Sequence, residues 1–358
     1  MSDVSGLLPP WLLPLWLQVT RDLQRLPHAL LLEGPAGSGK RQFAEQLARR
    51  LLCASPSSDG FACGACPACK WFAAANHPDM HRMVPASAAL AEQEEGEDGE
   101  GGESSAKDGK KASDQIVIDQ VRSMQSLLEV GGHQGGRRVV LIDPAEAMNV
   151  PTANALLKSL EEPPGDAVFL LVSHSPRRLL PTIRSRCQGW SFPRPDKAVA
   201  QQWLAAQRVD DAEALLGFSS GLPLAAAAIA GGPLAEARKR FMRDMQGLGR
   251  GDPLKLAGEW EAWLKSKAAL EAGLTLTVLV SWLQRWAYDA SRAAQGVAPR
   301  FFVDAASELA ALTKGRFDVW SSCYNELAGY RRVSQHPLNA RLFLEDMLLR
   351  TTRAMTVK

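Results

Sequence analysis

The residues whose types and spacing could do chemistry begin at position 34, where the sequence reads GPAGSGKR. The first seven fit the phosphate-loop consensus GxxxxGK[ST], between an apolar run and the helical stretch RQFAEQLARRLLC. The glycines Gly34, Gly37 and Gly39 would let backbone N–H groups converge on phosphate oxygens, and Lys40 would reach the terminal phosphates. The pattern predicts a nucleotide site.

Two departures from that pattern indicate a site that does not hydrolyse ATP. Arg41 stands where the consensus has a Ser or Thr, and a guanidinium cannot give Mg²⁺ an oxygen ligand. The run VVLID ends in Asp143, the position of the acid that holds the metal, but Pro144 follows where hydrolysing ATPases usually carry a Glu. We interpret Glu146 as a first-turn acid of the next helix. The site is therefore compatible with ATP binding but not with hydrolysis.

Four cysteines form a second group, Cys53, Cys63, Cys66 and Cys69. Four thiolates at this spacing, with Gly and Pro in the turns, are typical of a tetrahedral structural Zn²⁺ site. An iron–sulfur cluster and two disulfides are the alternatives, although disulfides are rare in a reducing compartment. His77 could compete as a ligand, but four cysteines complete the shell, so we interpret it as a turn residue.

Composition excludes several classes of protein. The chain has 358 residues, is 46% apolar and 22% charged, and carries a net charge of +2, which favours an ordinary globular protein of two or three domains over a strongly basic nucleic-acid binder. The N-terminal segment is apolar but has no basic residue before its leucines and is broken by prolines, unlike a signal peptide. No run approaches 18 apolar residues, so we expect no membrane span and a cytoplasmic protein.

The elements that must position these residues are predicted by the alternation of short β-rich runs with helical stretches, which favours an α/β domain with a parallel sheet and helices on both faces. The predicted strands are 28–33, 80–85, 137–143, 167–173 and 187–192. After residue 193 only helical patterns follow, and the tryptophans recur at helical spacing, which indicates a core stripe.

Three regions result: an α/β core at 1–193 with the cysteine module at 53–69, a small helical region at 194–232, and a larger helical region at 233–358. Residues 91–114 are rich in Glu, Gly, Ser and Lys and contain no large apolar residue. We predict a disordered, solvated insertion there. An acidic segment that imitates nucleic acid is the alternative.

Three motifs together suggest a family. They are NALLKSLEEPP at 154–164, SRC at 185–187, and the four-cysteine module within a phosphate-loop domain. The chain resembles the bacterial clamp-loader subunits of the AAA+ family over its whole length, apart from 91–114. The resemblance implies an AAA+ core, a helical lid and a C-terminal collar domain. It also implies that Arg186 is an arginine finger directed at ATP in a neighbouring subunit; a helix-end arginine in a surface ion pair is the alternative.

The resemblance also bears on the lid, where motor subunits carry an ATP-contacting arginine. Leu224 occupies that position here, a third departure from a hydrolytic site. The implied function is a non-hydrolysing ring member in ATP-driven loading of a sliding clamp on primed DNA, with the gamma/tau motor subunits and delta as partners. An active ATPase, in which Ser38 or a water replaces the lost metal ligand, is one alternative. A zinc-dependent DNA-binding module is another.

Overall fold

The protein is described by a computed structural model that covers residues 8–94, 113–129, 137–192, 194–313, 315–334 and 339–356. The chain divides into two compact units, Met1–Arg194 and Pro195–Lys358. Each unit has its own hydrophobic core. The candidate site residues lie in the first unit, except Leu224.

The first unit is built on a sheet of five described strands, all parallel, in the order β2-β3-β4-β1-β5. The strands are β1 Ala29–Glu33, β2 Met80–Met83, β3 Arg138–Ile142, β4 Ala167–Ser173 and β5 Gln188–Ser191. Each lies within a β-rich run predicted from the sequence. The predicted parallel α/β fold is therefore confirmed.

Both faces of this sheet are buried, which explains why its central strands are continuous apolar runs. Alternate residues of one strand point to opposite faces, so Leu31 packs into one hydrophobic cluster and Leu30 into the other. The first cluster also contains Val121 and Leu156, and the second contains Trp16 and Phe43, all from helices that cover the sheet.

The helices of the first unit surround this sheet. They are α1 Leu13–Thr20, α2 Lys40–Leu52, α3 Pro67–Ala73, α4 Ala86–Glu94, α5 Ile118–Glu129, α6 Val150–Glu161 and α7 Pro181–Arg184, with 3-10 turns at Pro10–Leu12, Leu23–Arg25, Ala145–Ala147 and Pro176–Arg178.

The start of the predicted insertion differs from expectation. Residues 91–94 continue α4 rather than beginning a disordered segment. The sequence ASAALAEQE explains this, because Ala, Leu, Glu and Gln are all strong helix formers. Residues 95–112 of the predicted insertion lie outside the described residues.

The second unit is helical throughout its described residues. Its helices are α8 Lys197–Ala206, α9 Ala212–Phe218, α10 Pro223–Ile229, α11 Pro233–Leu248, α12 Pro253–Leu264, α13 Lys267–Glu271, α14 Leu276–Ala293, α15 Ala306–Thr313, α16 Phe317–Val333 and α17 Ala340–Thr356, with a 3-10 turn at Val303–Ala305. Within the part of the chain that the structure describes, no single helix is both long and apolar enough to cross a membrane.

The tryptophans of the second unit form its core, as their spacing predicts. Trp260, Trp263, Trp282, Trp286 and Trp320 are all buried. One hydrophobic cluster includes these rings together with residues of α8, α9 and α10. The division of this unit into a lid at 194–232 and a collar at 233–358 stays a prediction.

Candidate nucleotide and metal sites

The phosphate loop lies at the carboxyl edge of the sheet, between β1 and α2. Gly37 and Gly39 have φ angles of +81° and +91°, in the left-handed region that favours glycine. The backbone can therefore turn sharply and enter α2 at Lys40. Asp143 follows β3 at the same edge, because the strands are parallel. The fold thus brings together the predicted nucleotide-site residues of this unit.

Lys40 is buried and bonded to its own loop. Its Nζ donates to the carbonyl oxygens of Gly34 and Pro35, both at 2.7 Å, and to Ser38 Oγ at 3.2 Å. The ammonium group therefore ties the two ends of the loop together. The Ser38 hydroxyl, the proposed substitute metal ligand in the active-ATPase alternative, is engaged in the same network.

Arg41 lies directly beside the acid that should hold a metal. Its Nε is 3.6 Å from Asp143 Oδ2 and 3.3 Å from Glu45 Oε1. Glu45 also pairs with Arg82 from β2. Burial raises the pKa of Asp143, and the Arg41 guanidinium opposes that shift. The positive charge next to Asp143 thus comes from the protein itself.

Glu146 lies in the first turn of the 3-10 helix Ala145–Ala147, the next helix after Asp143, so the interpretation as a first-turn acid is confirmed. The α-helix that comes next, α6, is capped by Asn149. Its Oε1 accepts a hydrogen bond of 2.9 Å from the backbone N–H of His174, just after β4. Burial lowers the pKa of Lys40 to about 8, and Glu146 and Asp143 oppose that shift.

The four cysteines converge on one point. The Sγ atoms of Cys53, Cys63, Cys66 and Cys69 all lie within 4.8 Å of one another, and none is in a disulfide. Cys53 and Cys63 are 3.6 Å apart, and the pairs Cys53–Cys66 and Cys63–Cys69 are each 3.9 Å apart. Zinc–sulfur bonds of about 2.3 Å in a tetrahedron place sulfurs about 3.8 Å apart, so the set fits one zinc ion.

Local backbone geometry favours the thiolate form of Cys63. The backbone N–H groups of Ala65 and Cys66 point at Cys63 and lower the pKa of its thiol. Cys53 directly follows α2 and Cys66 directly precedes α3, so these two helices position two of the four cysteines. The arrangement can hold one metal ion through four thiolates.

The cysteine module is attached to the sheet domain through aromatic rings. Phe61, within the module, stacks on the buried Trp16 of α1 at 4.6 Å between ring centroids. His77 lies outside the cysteine cluster: its Nδ1 accepts from the backbone N–H of Asp79 at 3.1 Å, as a turn residue would.

Arg186 lies far from this phosphate loop within the same unit. It precedes β5 by two residues, and the first residue of β5, Gln188, pairs with Leu30 near the amino end of β1. The loop begins at Gly34, about 13 Å further along β1 at 3.3 Å per residue. Arg186 therefore belongs to the amino edge of the sheet and the phosphate loop to the carboxyl edge.

The contacts of Arg186 link two helices at that amino edge. Its Nη1 donates to the carbonyl oxygen of Thr182 at 3.0 Å, and its Nη2 pairs with the carboxylate of Glu161 at the end of α6. Sequence reasoning did not select Glu161 or Glu45. Glu161 lies inside the NALLKSLEEPP motif, but its partner 25 positions later gives no sequence signal.

Leu224 lies in the first turn of α10, in the second unit.

A parallel sheet in the order β2-β3-β4-β1-β5, with a phosphate loop after β1 and an acid after β3, defines a phosphate-loop NTPase domain of the AAA+ type. Residues 16–196 match the family model described as DNA polymerase III, delta subunit. The chain is 42% identical to the DNA polymerase III subunit delta′ of Pseudomonas aeruginosa over 69% of this chain and 68% of that protein. It is 30% identical to the delta′ subunit of Escherichia coli K12, over 95% and 94% respectively.

Among solved structures, a DNA polymerase III gamma subunit-related protein from Thermotoga maritima is similar to this chain, with 19% identity and a TM-score of 0.45. The match covers 95% of this chain and 99% of that protein. The sequence matches decide the assignment. The chain belongs to the family of delta′ subunits of the DNA polymerase III clamp loader.

Proposed function

We propose that this chain does not hydrolyse ATP itself and presents Arg186 to ATP bound by a neighbouring motor subunit of the clamp loader. The position of Arg186 carries this proposal. Arg186 and the chain's own phosphate loop lie at opposite edges of one sheet, so the guanidinium serves a nucleotide held by another chain. The partners proposed below follow from this role.

In this role the guanidinium neutralises negative charge on the transferred phosphoryl oxygens of the neighbour's ATP. A finger of this kind changes the hydrolysis rate by roughly 10³ to 10⁵. The partners are then the gamma/tau motor subunits and delta, with the sliding clamp and primed DNA reached through the complex. The place of action is the cytoplasm, where replication occurs.

The contacts of Arg41 support the absence of hydrolysis. The guanidinium next to Asp143 opposes a second cation at that point, and no hydroxyl follows Lys40 to bind Mg²⁺. Pro144 takes the position of the residue that would polarise water. ATP binding through Lys40 is compatible with these contacts, because the lysine needs only to exchange loop carbonyls for phosphate oxygens.

We also propose that the four cysteines hold a structural Zn²⁺. Their sulfur spacing supports one metal ion, whereas a cluster of several irons binds its cysteines through different metal atoms and spreads them further apart. A zinc ion with four thiolates has no open position, so its contribution is to fold the module onto α2 and α3.

The experiment for the proposed function is ATP hydrolysis by the purified chain with Mg²⁺ and primed DNA, beside hydrolysis by the motor complex with and without the chain. We expect no turnover by the chain alone and a stimulated rate when it joins the motor subunits. Turnover by the pure chain that disappears in Lys40→Ala would establish the active-ATPase alternative and reject our proposal.

A further inference from the structure

The guanidinium of Arg186 is held at two points by its own subunit. Thr182 accepts through its backbone carbonyl and Glu161 through its side-chain carboxylate. These partners belong to α7 and α6, and both helices contribute to one hydrophobic cluster, through Ile183 and Leu160 respectively. Both acceptors therefore lie on helices that are anchored in the core of the unit.

We propose that Glu161 is a positioning residue that orients Arg186 toward the neighbouring subunit's ATP, an inference that rests on the proposed finger role. A guanidinium has five N–H donors, and the two described contacts use two of them. The other three remain for phosphate oxygens. The Arg186 side chain is 33% exposed, so part of it reaches the surface of the unit.

Orientation is the main effect of this pair. Surface ion pairs of such exposure add little to folding stability, and the Glu161 side chain is 49% exposed. A long arginine side chain otherwise samples many rotamers, and a misplacement of about 1 Å can cost about 10²-fold in rate. We expect this gain in orientation to exceed the repulsion between Glu161 and the bound phosphate, and the variants below measure the balance.

Glu162 provides a matched control. It is the next residue, carries the same charge, is exposed like Glu161, and its side chain makes no ion pair or hydrogen bond with the other described residues. A general effect of charge at this edge would appear in both glutamates. An effect through Arg186 appears only at Glu161.

The test is the steady-state ATPase of the reconstituted complex with clamp and primed DNA, using Glu161→Ala, Glu161→Gln, Glu162→Ala, Arg186→Ala and the double variant Glu161→Ala with Arg186→Ala. The Arg186-dependent rate is the difference between wild type and Arg186→Ala. We expect Glu161→Ala to lower it about tenfold, with KM for ATP within about twofold of wild type. The rate of Glu161→Gln, which keeps an acceptor oxygen, should lie between the rates of the wild type and Glu161→Ala.

The double variant decides whether Glu161 acts through Arg186, and we expect it to match Arg186→Ala alone. The inference is overturned if the ATPase rate of Glu161→Ala equals that of the wild type or of Glu162→Ala. It is also overturned if adding Glu161→Ala to Arg186→Ala lowers the rate by the same factor as adding it to the wild type. A wild-type rate in Arg186→Ala would reject the finger role itself. Thermal unfolding of Glu161→Ala and Glu161→Gln at the wild-type temperature excludes a folding defect.

Discussion

At the scale of single residues, Arg41 determines what the phosphate loop can bind. A hydroxyl at this position would share Mg²⁺ with a phosphate, whereas the guanidinium pairs with Asp143 at 3.6 Å and with Glu45 at 3.3 Å. An arginine stays protonated at any physiological pH. The positive charge of Arg41 beside Asp143 is therefore permanent, and a chelator that removes metal ions leaves it in place.

Replacing Arg41 with Thr should restore a dependence on Mg²⁺. We expect wild-type binding of a fluorescent ATP analogue to change little when Mg²⁺ is added, and binding by Arg41→Thr to tighten about tenfold, as one recovered metal contact allows. Hydrolysis should stay absent, because Pro144 is unchanged. Equilibrium titration with and without Mg²⁺ measures the difference.

Glu45→Gln is the control for that titration. It removes the charge of Glu45, which also pairs with Arg41, but leaves the guanidinium next to Asp143, so its binding should remain insensitive to Mg²⁺. An equal response to Mg²⁺ in wild type and Arg41→Thr would show that Arg41 does not replace the metal.

At the scale of elements, the cysteine module shows how two helix ends create a metal site. Cys53 ends α2, Cys66 precedes α3, and Phe61 between them packs on Trp16. The loop that joins these helices has few apolar residues of its own. A metal is therefore the main stabilising element that such a segment can acquire.

Replacing Cys66 with Ser should remove the metal. We expect the wild-type chain to contain one zinc per molecule, and Cys66→Ser to contain none and to unfold at a lower temperature, because the three remaining thiolates bind zinc far more weakly. Elemental analysis and calorimetry measure the two quantities. Cys187→Ala, outside the cluster, should retain its zinc. Full zinc content in Cys66→Ser would contradict the four-cysteine site.

The strands were predictable because burial on both faces requires continuous apolar runs, as in AVFLLVS. The motif spacing also located Lys40, Asp143 and the cysteines. The hydrogen bond from the backbone N–H of His174 to Glu146 was not predictable, because it joins residues 28 positions apart. The pairing of Arg186 with Glu161 likewise depends on how α6 and α7 meet.

At the scale of the whole molecule, the predicted lid and collar regions share side-chain contacts. Phe218, in the predicted lid, contacts Trp282 at 5.3 Å and Phe302 at 5.5 Å between ring centroids. The guanidinium of Arg238 lies 5.1 Å from the Phe218 ring. Aromatic and cation–π contacts of this kind each contribute about 0.5–1.5 kcal/mol. The two regions therefore stabilise each other.

Fragments of the second unit test this coupling. We expect residues 195–358 to fold cooperatively on their own, and residues 233–358 to unfold at a lower temperature, because they lose Phe218 and expose its aromatic partners. Circular dichroism during heating measures both transitions. Equal stability of the two fragments would show that the collar region folds independently of the lid region.

The first unit has two chemically different edges, one with a phosphate loop closed by Lys40 and Arg41 and one with Arg186. The most direct test of this account is the ATPase of the reconstituted clamp loader with Lys40→Ala or Arg186→Ala in this chain. We predict that Lys40→Ala leaves hydrolysis unchanged. Arg186→Ala should lower hydrolysis at the adjacent motor site by about 10³-fold or more. The total ATPase rate of the complex should then fall by at least the fraction that this site contributes. Loss of activity in Lys40→Ala together with a wild-type rate in Arg186→Ala would contradict the account.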